Sequence, residues 1–310
     1  MSPLFTISIP TYNRADGYLR ETLASAVAQD YQDLEIMISD NASVDNTEEV
    51  VRSFDDPRIR YVKHEANIGH AGNFDFCVTG ARGHYVLVLH DDDVIDADFI
   101  QTCADAVGDR LDYGMLRTGV RIIDDVGGLL EEHPNKSKSS TAEDFALEWF
   151  SGELALYMCN TVFNRQKVID VGGFRSEKDL WHDVVAEMKI ASTSPRLEIE
   201  SVKASFRRHG DSRGASLVRI WDWVEDSVYL LNVMKDVSGD KRQEVATKGQ
   251  LYFCKKNYQY IERMIDSRFM RLKLYFKVNK LFDNCYSPWQ LLLIQPLRNK
   301  LGLVKRKLVS

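Results

Sequence analysis

The chain is poor in the features that mark several large protein classes. No apolar run reaches the roughly 18–20 residues that a bilayer-spanning helix needs. The opening MSPLFTISIP has no basic n-region, no long apolar h-region and no small-residue cleavage site, so no secretory signal is expected there. The five cysteines (Cys77, Cys103, Cys159, Cys254, Cys285) are scattered, odd in number and never in a CxxC pair, which argues against a disulfide framework and a cysteine-rich zinc site. Reduced thiols in a cytoplasmic protein are the simpler expectation. The absence of GxxxxGK[ST] excludes a P-loop kinase, and neither an internal repeat nor a low-complexity tract is present.

What is present begins with charge. The net charge of −6 conceals an asymmetry: Arg268–Ser310 holds ten Lys/Arg against Asp283 alone, or +9, and the remainder carries −15. An acidic body with a basic, aromatic-rich tail is not the profile of a nucleic-acid binder; it suits an enzyme whose tail meets an anionic surface. In RFMRLKLYFKVNKLF (268–282), Phe269, Leu272, Phe276 and Leu281 stand among five basic residues, and WQLLLIQPL (289–297) is apolar but too short to span. Such segments lie in a membrane interface, with roughly 1 kcal/mol contributed per Lys/Arg near anionic lipid. The competing reading is a helix packed on the acidic body. The favoured expectation is peripheral attachment to the inner face of the plasma membrane through 268–310.

The 310 residues, 44% hydrophobic, fit one large α/β domain or a catalytic domain with an appendage. Three short apolar runs, FTISIP (5–10), LEIMIS (34–39) and YVLVLH (85–90), with the shorter IRYV (59–62), read as strands buried on both faces. Between them, 17–29 places Leu19, Leu23, Ala26 and Val27 on one helical face, and 45–54 opens with Asp45 as an N-cap. Strands alternating with helices predict an α/β fold with a mostly parallel, Rossmann-like sheet flanked by helices. Ligands of such sheets bind beyond the carboxyl ends of the strands. Residues 111–215 mix strands, a polar loop and a Gly-Gly-Phe turn, and from about 216 the composition becomes helical.

The strand ends carry a consistent set of polar groups: Pro10-Thr11-Tyr12-Asn13-Arg14 after the first, Asp40-Asn41 after the second, Asn67-Ile68-Gly69 soon after the third, and His90-Asp91-Asp92-Asp93 at the fourth. Packing alone does not place three consecutive aspartates after a hydrophobic strand, because like charges repel. A divalent cation bridging to a diphosphate removes that repulsion, and Mg²⁺ or Mn²⁺ suits an oxygen-rich site with few protein ligands.

In order and spacing, ISIPTYNR, ISDNASVDNT, NIG, HDDD and the later Gly-Gly-Phe turn followed by an acidic site resemble the family 2 glycosyltransferases of GT-A fold, over residues 4–215. The resemblance implies an inverting, nucleotide-sugar-dependent transferase. Pro10, Thr11, Tyr12, Asn13 and Arg14 would bind the nucleotide-sugar, with Tyr12 near the base. Asp40 would accept a hydrogen bond from the base ring N–H, which favours a UDP- or dTDP-type donor. Asn67 and Gly69 would sit near the nucleotide. The cluster reads as a variant Asp-x-Asp in which His90 replaces the first acid, leaving Asp91 for the ribose and Asp92 as the first metal ligand, with Asp93 sharing either role. Of the pair His182-Asp183, Asp183 would be the catalytic base; Asp179 and Glu187 are rivals. In Arg207-Arg208-His209, His209 would complete the metal or diphosphate site and the arginines would pair with phosphate.

The expected organisation is a GT-A catalytic region, 1–215, divided into a nucleotide-sugar half (1–110) and an acceptor half (111–215), followed by a C-terminal helical extension, 216–310, with its basic tail. The acceptor would be a saccharide or lipid-linked hydroxyl, in bacterial surface polysaccharide synthesis. The rival functions are a sugar-phosphate nucleotidyltransferase and a non-catalytic nucleotide-binding scaffold. The first usually carries a glycine-rich basic loop after the first strand, where this chain has PTYNRADG.

Overall fold

The computed structural model describes residues 3–209, 219–287 and 290. The first half alternates strand and helix: β1 (Phe5–Thr11), α1 (Leu19–Val27), β2 (Leu34–Asp40), α2 (Thr47–Arg52), β3 (Ile59–Lys63), α3 (Gly69–Thr79) and β4 (Tyr85–Val88). β5 (Val94–Ile95), α4 (Phe99–Val107), β6 (Met115–Ile123), β7 (Leu129–His133), α5 (Ala142–Ser151), β8 (Thr161–Asn164), α6 (Arg165–Asp170), α7 (His182–Ala191) and β9 (Arg196–Arg207) follow. Three helices end the described chain: α8 (Ile220–Asp236), α9 (Arg242–Met264) and α10 (Arg268–Leu281). Local chemistry sets several of these limits. The Thr141 hydroxyl accepts from Asp144 N to cap α5, and Gly152 ends that helix at φ 83°, a left-handed conformation that costs glycine little.

The sheet runs β3-β2-β1-β4-β8-β6-β9-β5, with β7 on β6. The first four strands are parallel, as their two-sided burial predicts; β4–β8, β6–β8, β6–β7 and β5–β9 are antiparallel. The α/β fold class holds, and the sheet is mixed rather than parallel throughout. Chain direction across the sheet reverses between β1 and β4, the switch point where α/β sheets open a crevice at their carboxyl ends. Strand alternation divides the core between the two faces. Tyr85, Leu87 and Leu89 join Phe5, Ile7 and Ile36 beneath α1 and α4, while Val86 and Val88 join the cluster on the other face. That second cluster also contains Phe145 and Val185 together with Val224, Leu230, Phe253 and Val278, so α8, α9 and α10 share a continuous core with β4, α5 and α7.

Candidate active site

A cleft of about 670 Å³ opens at the carboxyl ends of β1 and β4. It is lined by Pro10, Thr11, Tyr12 and Arg14 with Asn41, Asn67 and Gly69, by Asp91 and Asp92, and by Asp179, His182 and Asp183. The loops are tied to each other before any ligand arrives. Asn41 Nδ2 donates to Asn67 Oδ1 at 3.1 Å and to the Gly69 carbonyl at 3.2 Å, and its Oδ1 accepts from Ile68 N at 2.8 Å. Gly69 stands at φ 78° as the first residue of α3. Tyr12 is 46% exposed, an unusual state for a large ring in a wall this ordered, and it leaves an aromatic face toward solvent.

Asp91 accepts from the Thr11 hydroxyl at 2.8 Å and lies 3.7 Å from the Arg14 guanidinium. Burial pushes its pKa up to about 6, with Asp92 adding to the rise and Arg14 opposing it. Ligand atoms of His90, Asp92 and Asp93 all lie within 4.8 Å of one another. Two of the atoms in this cluster are buried with no hydrogen-bond partner among the described residues, His90 Nε2 and Asp93 Oδ2. An imidazole nitrogen and a carboxylate oxygen left in this state, with Asp92 next to them, are a donor set that a small divalent cation would satisfy.

Several expected residues hold the site from behind rather than lining it. Asn13 (φ 53°) joins two loops, accepting from Val44 N through Oδ1 while its own N–H reaches Ser43 Oγ. Asp40 is fully buried; its carboxylate accepts from Ser43 N at 2.8 Å and from the Tyr61 hydroxyl. Asp40 itself does not line the cleft, whereas the neighbouring Asn41 does. Asp93 is 1% exposed and accepts from Arg207 N at 2.9 Å; burial, then Asp92, raises its pKa well above the usual carboxylate range. Arg207 lines the cleft, and its guanidinium donates to the Asp92 and Asp125 carbonyls and to Glu21, which ties β9 to the loop after β4. His209 does reach the cluster, with Nε2 2.8 Å from Asp92 Oδ2.

Asp183 lies in the first turn of α7, partly exposed at the cleft, whereas the rival Glu187 one turn later is buried on Thr161. The loop leading into α7 owes its shape to a residue that sequence reasoning passed over. Asp226 of α8, fully buried, accepts from Ser176 Oγ (2.7 Å) and from the backbone N–H groups of Lys178 (2.9 Å), Leu180 (2.8 Å) and Trp181 (2.8 Å). The signal was present: an acid at 226, between Trp223 and Leu230, falls on the apolar stripe of its helix. His70, Phe74, Arg219 and Trp223 also line the cleft and were not anticipated. Their types carry no motif, and only packing brings them there.

A mixed sheet, parallel over its first four strands, with loops converging on an acidic cluster at its switch point, is the architecture of a Rossmann-like α/β enzyme. The Glycosyl transferase family 2 model matches residues 6–170, more than half the chain, and the protein belongs to that family of glycosyltransferases. An uncharacterised glycosyltransferase of Methanocaldococcus jannaschii is 30% identical over 286 residues, covering 80% of this chain and 97% of the relative. The GalNAc(5)-diNAcBac-PP-undecaprenol β-1,3-glucosyltransferase of Campylobacter jejuni is 28% identical over 60% of each protein. Among solved structures, S. aureus TarS 1–349 in complex with UDP-GlcNAc superposes with a TM-score of 0.63 at 16% identity, over 91% of this chain and 89% of that one. The mannosyltransferase PcManGT of Pyrobaculum calidifontis, in complex with GDP-Man and Mn²⁺, gives 0.57 at 17% identity, over 97% and 81%.

Proposed function

We propose that the protein is an inverting transferase moving a sugar from a nucleoside diphosphate donor to an acceptor hydroxyl, with Asp183 as general base and a divalent cation, Mn²⁺ or Mg²⁺, held by Asp92 with His90, Asp93 and His209 around it. The observation that carries this reading is that Asp183 and the Asp91–Asp92 pair line one and the same cleft. The acceptor oxygen bonds to the anomeric carbon as the bond from that carbon to the diphosphate oxygen breaks. The electron pair leaves with the diphosphate and the acceptor proton passes to Asp183. A positioned base contributes about 10²–10⁴-fold to such a step. When bound, the cation would offset charge developing on the diphosphate. Arg14, Tyr12 and Asn67 would hold the nucleotide, and Asp91 the ribose.

A saccharide or lipid-linked acceptor in surface polysaccharide synthesis agrees with what the C. jejuni relative acts on. No described helix is long and apolar enough to cross a membrane. Attachment at an anionic membrane surface is supported by α10. One face buries Tyr275 and Val278, while Phe269 (78% exposed), Met270, Phe276 and Leu281 stand in solvent beside Lys273, Lys277 and Lys280. The later part of the expected surface, 291–310, lies outside the described residues. The deciding experiment is a thermal-shift screen of UDP, dTDP, GDP and CDP with and without Mn²⁺. A metal-dependent rise with one diphosphate is expected and would name the base; no shift with any of them in folded protein would end the proposal.

A further inference from the structure

A second feature adjoins the cleft on the Asp183 side. Trp223 lines the cleft and meets Trp181 edge to face at 5.1 Å, Trp181 meets Trp149 at 5.6 Å, and Trp149 meets Tyr252 at 5.0 Å. Trp149 is buried beneath, so the half-buried rings of Trp223, Trp181 and Tyr252 form the accessible wall, which runs from the cleft across the face shared by α5, α8 and α9. Over it sits Lys256 of α9, its Nζ 5.0 Å from the Trp181 ring centre, 5.3 Å from Tyr252 and 5.5 Å from Trp149. Lys256 is exposed as a residue, and its single hydrogen bond among the described residues runs to the Tyr252 hydroxyl at 3.1 Å, with no ion pair. An ammonium has three donors, so two remain for a ligand. Crowding by the surrounding protein strips water from the ammonium and draws its pKa down to about 8, with Asp183 pulling the other way.

We infer that this aromatic wall with Lys256 over it is an acceptor subsite, and that the acceptor it takes is a saccharide carrying a negative charge. The inference rests on the reading of Asp183 as base. The C–H faces of a pyranose ring pack on flat aromatic rings while its hydroxyls stay wet, and rigid aromatics supply that contact at small entropic cost. The cation supplies what a neutral sugar would not need. An anionic acceptor approaching the Asp183 carboxyl group meets like charge, and an ammonium near its path offsets the repulsion. A lysine kept only to bind the rings together would not need to stand exposed with donors unspent. The charge itself is a uronate carboxylate or a phosphate ester, both of which a compact ammonium recognises as a point charge.

The test uses full-length protein and its tryptophan fluorescence, titrated separately with methyl β-glucoside, glucuronic acid and glucose 1-phosphate. Binding of one or both acids roughly tenfold or more tighter than the neutral glucoside is expected, the usual scale of a charge-assisted hydrogen bond. Which acid is preferred identifies the source of the charge. Lys256→Gln should bring acid and neutral sugar to parity, and Lys256→Arg, which keeps the cation over the rings, should retain most of the difference. Equal binding of all three sugars by the wild type, or a preference that survives in Lys256→Gln, would overturn the subsite. If the glutamine variant does not fold, the wild-type comparison and the arginine variant still decide. The nucleotide screen on the wild type separates this from the broader reading: a metal-dependent nucleotide shift without any preference for charge removes the subsite alone. A charge preference without any nucleotide shift removes the transferase reading instead.

Discussion

His209 Nε2 lies 2.8 Å from Asp92 Oδ2, joining the end of β9 to the loop after β4 across 117 residues of chain. The His209 ring also rests 5.2 Å from Tyr18, so the imidazole is aimed rather than free to turn. If the cation is held at Asp92, His209 either adds a ligand or orients that carboxylate. Asp92→Ala should abolish the Mn²⁺-dependent part of the nucleotide thermal shift. His209→Ala should weaken Mn²⁺ binding about 10–100-fold, the usual cost of losing an orienting partner. A Mn²⁺ titration at fixed nucleotide reads both, and an unchanged midpoint in His209→Ala would remove it from the site.

Asp183 tests the chemistry separately from binding. Asp183→Asn keeps size and cleft shape but cannot take a proton, so kcat for transfer should fall about 10²–10⁴-fold with the donor KM little changed. A loss confined to KM would make Asp183 a binding residue and return Asp179, which shares the cleft, to consideration.

Asp226 links the C-terminal helices to the loop that leads into Asp183. Its carboxylate satisfies three backbone N–H groups and one hydroxyl from residues 176–181. Asp226→Ala would leave these donors without their acceptor, at a cost of about 3 kcal/mol or more, since each buried group left unpaired costs about 1–3 kcal/mol. Urea unfolding measures this directly. Activity should fall in the same variant even where the protein remains folded, because Asp183 follows that loop.

Glu187 makes stability depend on pH. It is 1% exposed, and burial raises its pKa from 4.5 to about 8, with Asp183 adding to the rise and Arg117 opposing it. A raised carboxyl pKa stabilises the folded state where the group is protonated. The contribution is fully present below about pH 4.5 and is lost as pH rises toward 8. Glu187→Gln removes that titration, so its stability relative to wild type should improve from pH 5 to pH 8.5. Parallel curves for the two proteins would show that Glu187 does not titrate in this window.

Replacing Phe269 and Phe276 together by Glu tests the exposed face of α10 without disturbing its buried side. The paired variant should stay in the supernatant when centrifuged with vesicles rich in anionic phospholipid, while the wild type pellets, less so as salt is raised. Equal pelleting of both proteins would locate any membrane contact elsewhere.

Much of this was legible because strand ends and chain order coincide in such folds. Once the first runs were read as parallel strands, Thr11, Asn41 and Asp91 had to emerge at one edge. Register then placed Thr11 opposite Asp40. The strand grammar thus determined the fold class, the strand-end loops that line the cleft and the acidic cluster, since each depends on short-range patterning that the sequence records directly. Which way each side chain faces at that edge does not. Asp40 and Asn41 are adjacent and both polar, yet one turns inward to Tyr61 and the other lines the cleft. The C-terminal helices likewise read as an appendage, because nothing in their periodicity names a partner. Only the tertiary structure placed Asp226 under the loop before Asp183 and Lys256 over Trp181. Those contacts span 45–75 residues and arise from how helices pack on a shared core, and an apolar stripe by itself specifies burial without specifying against what.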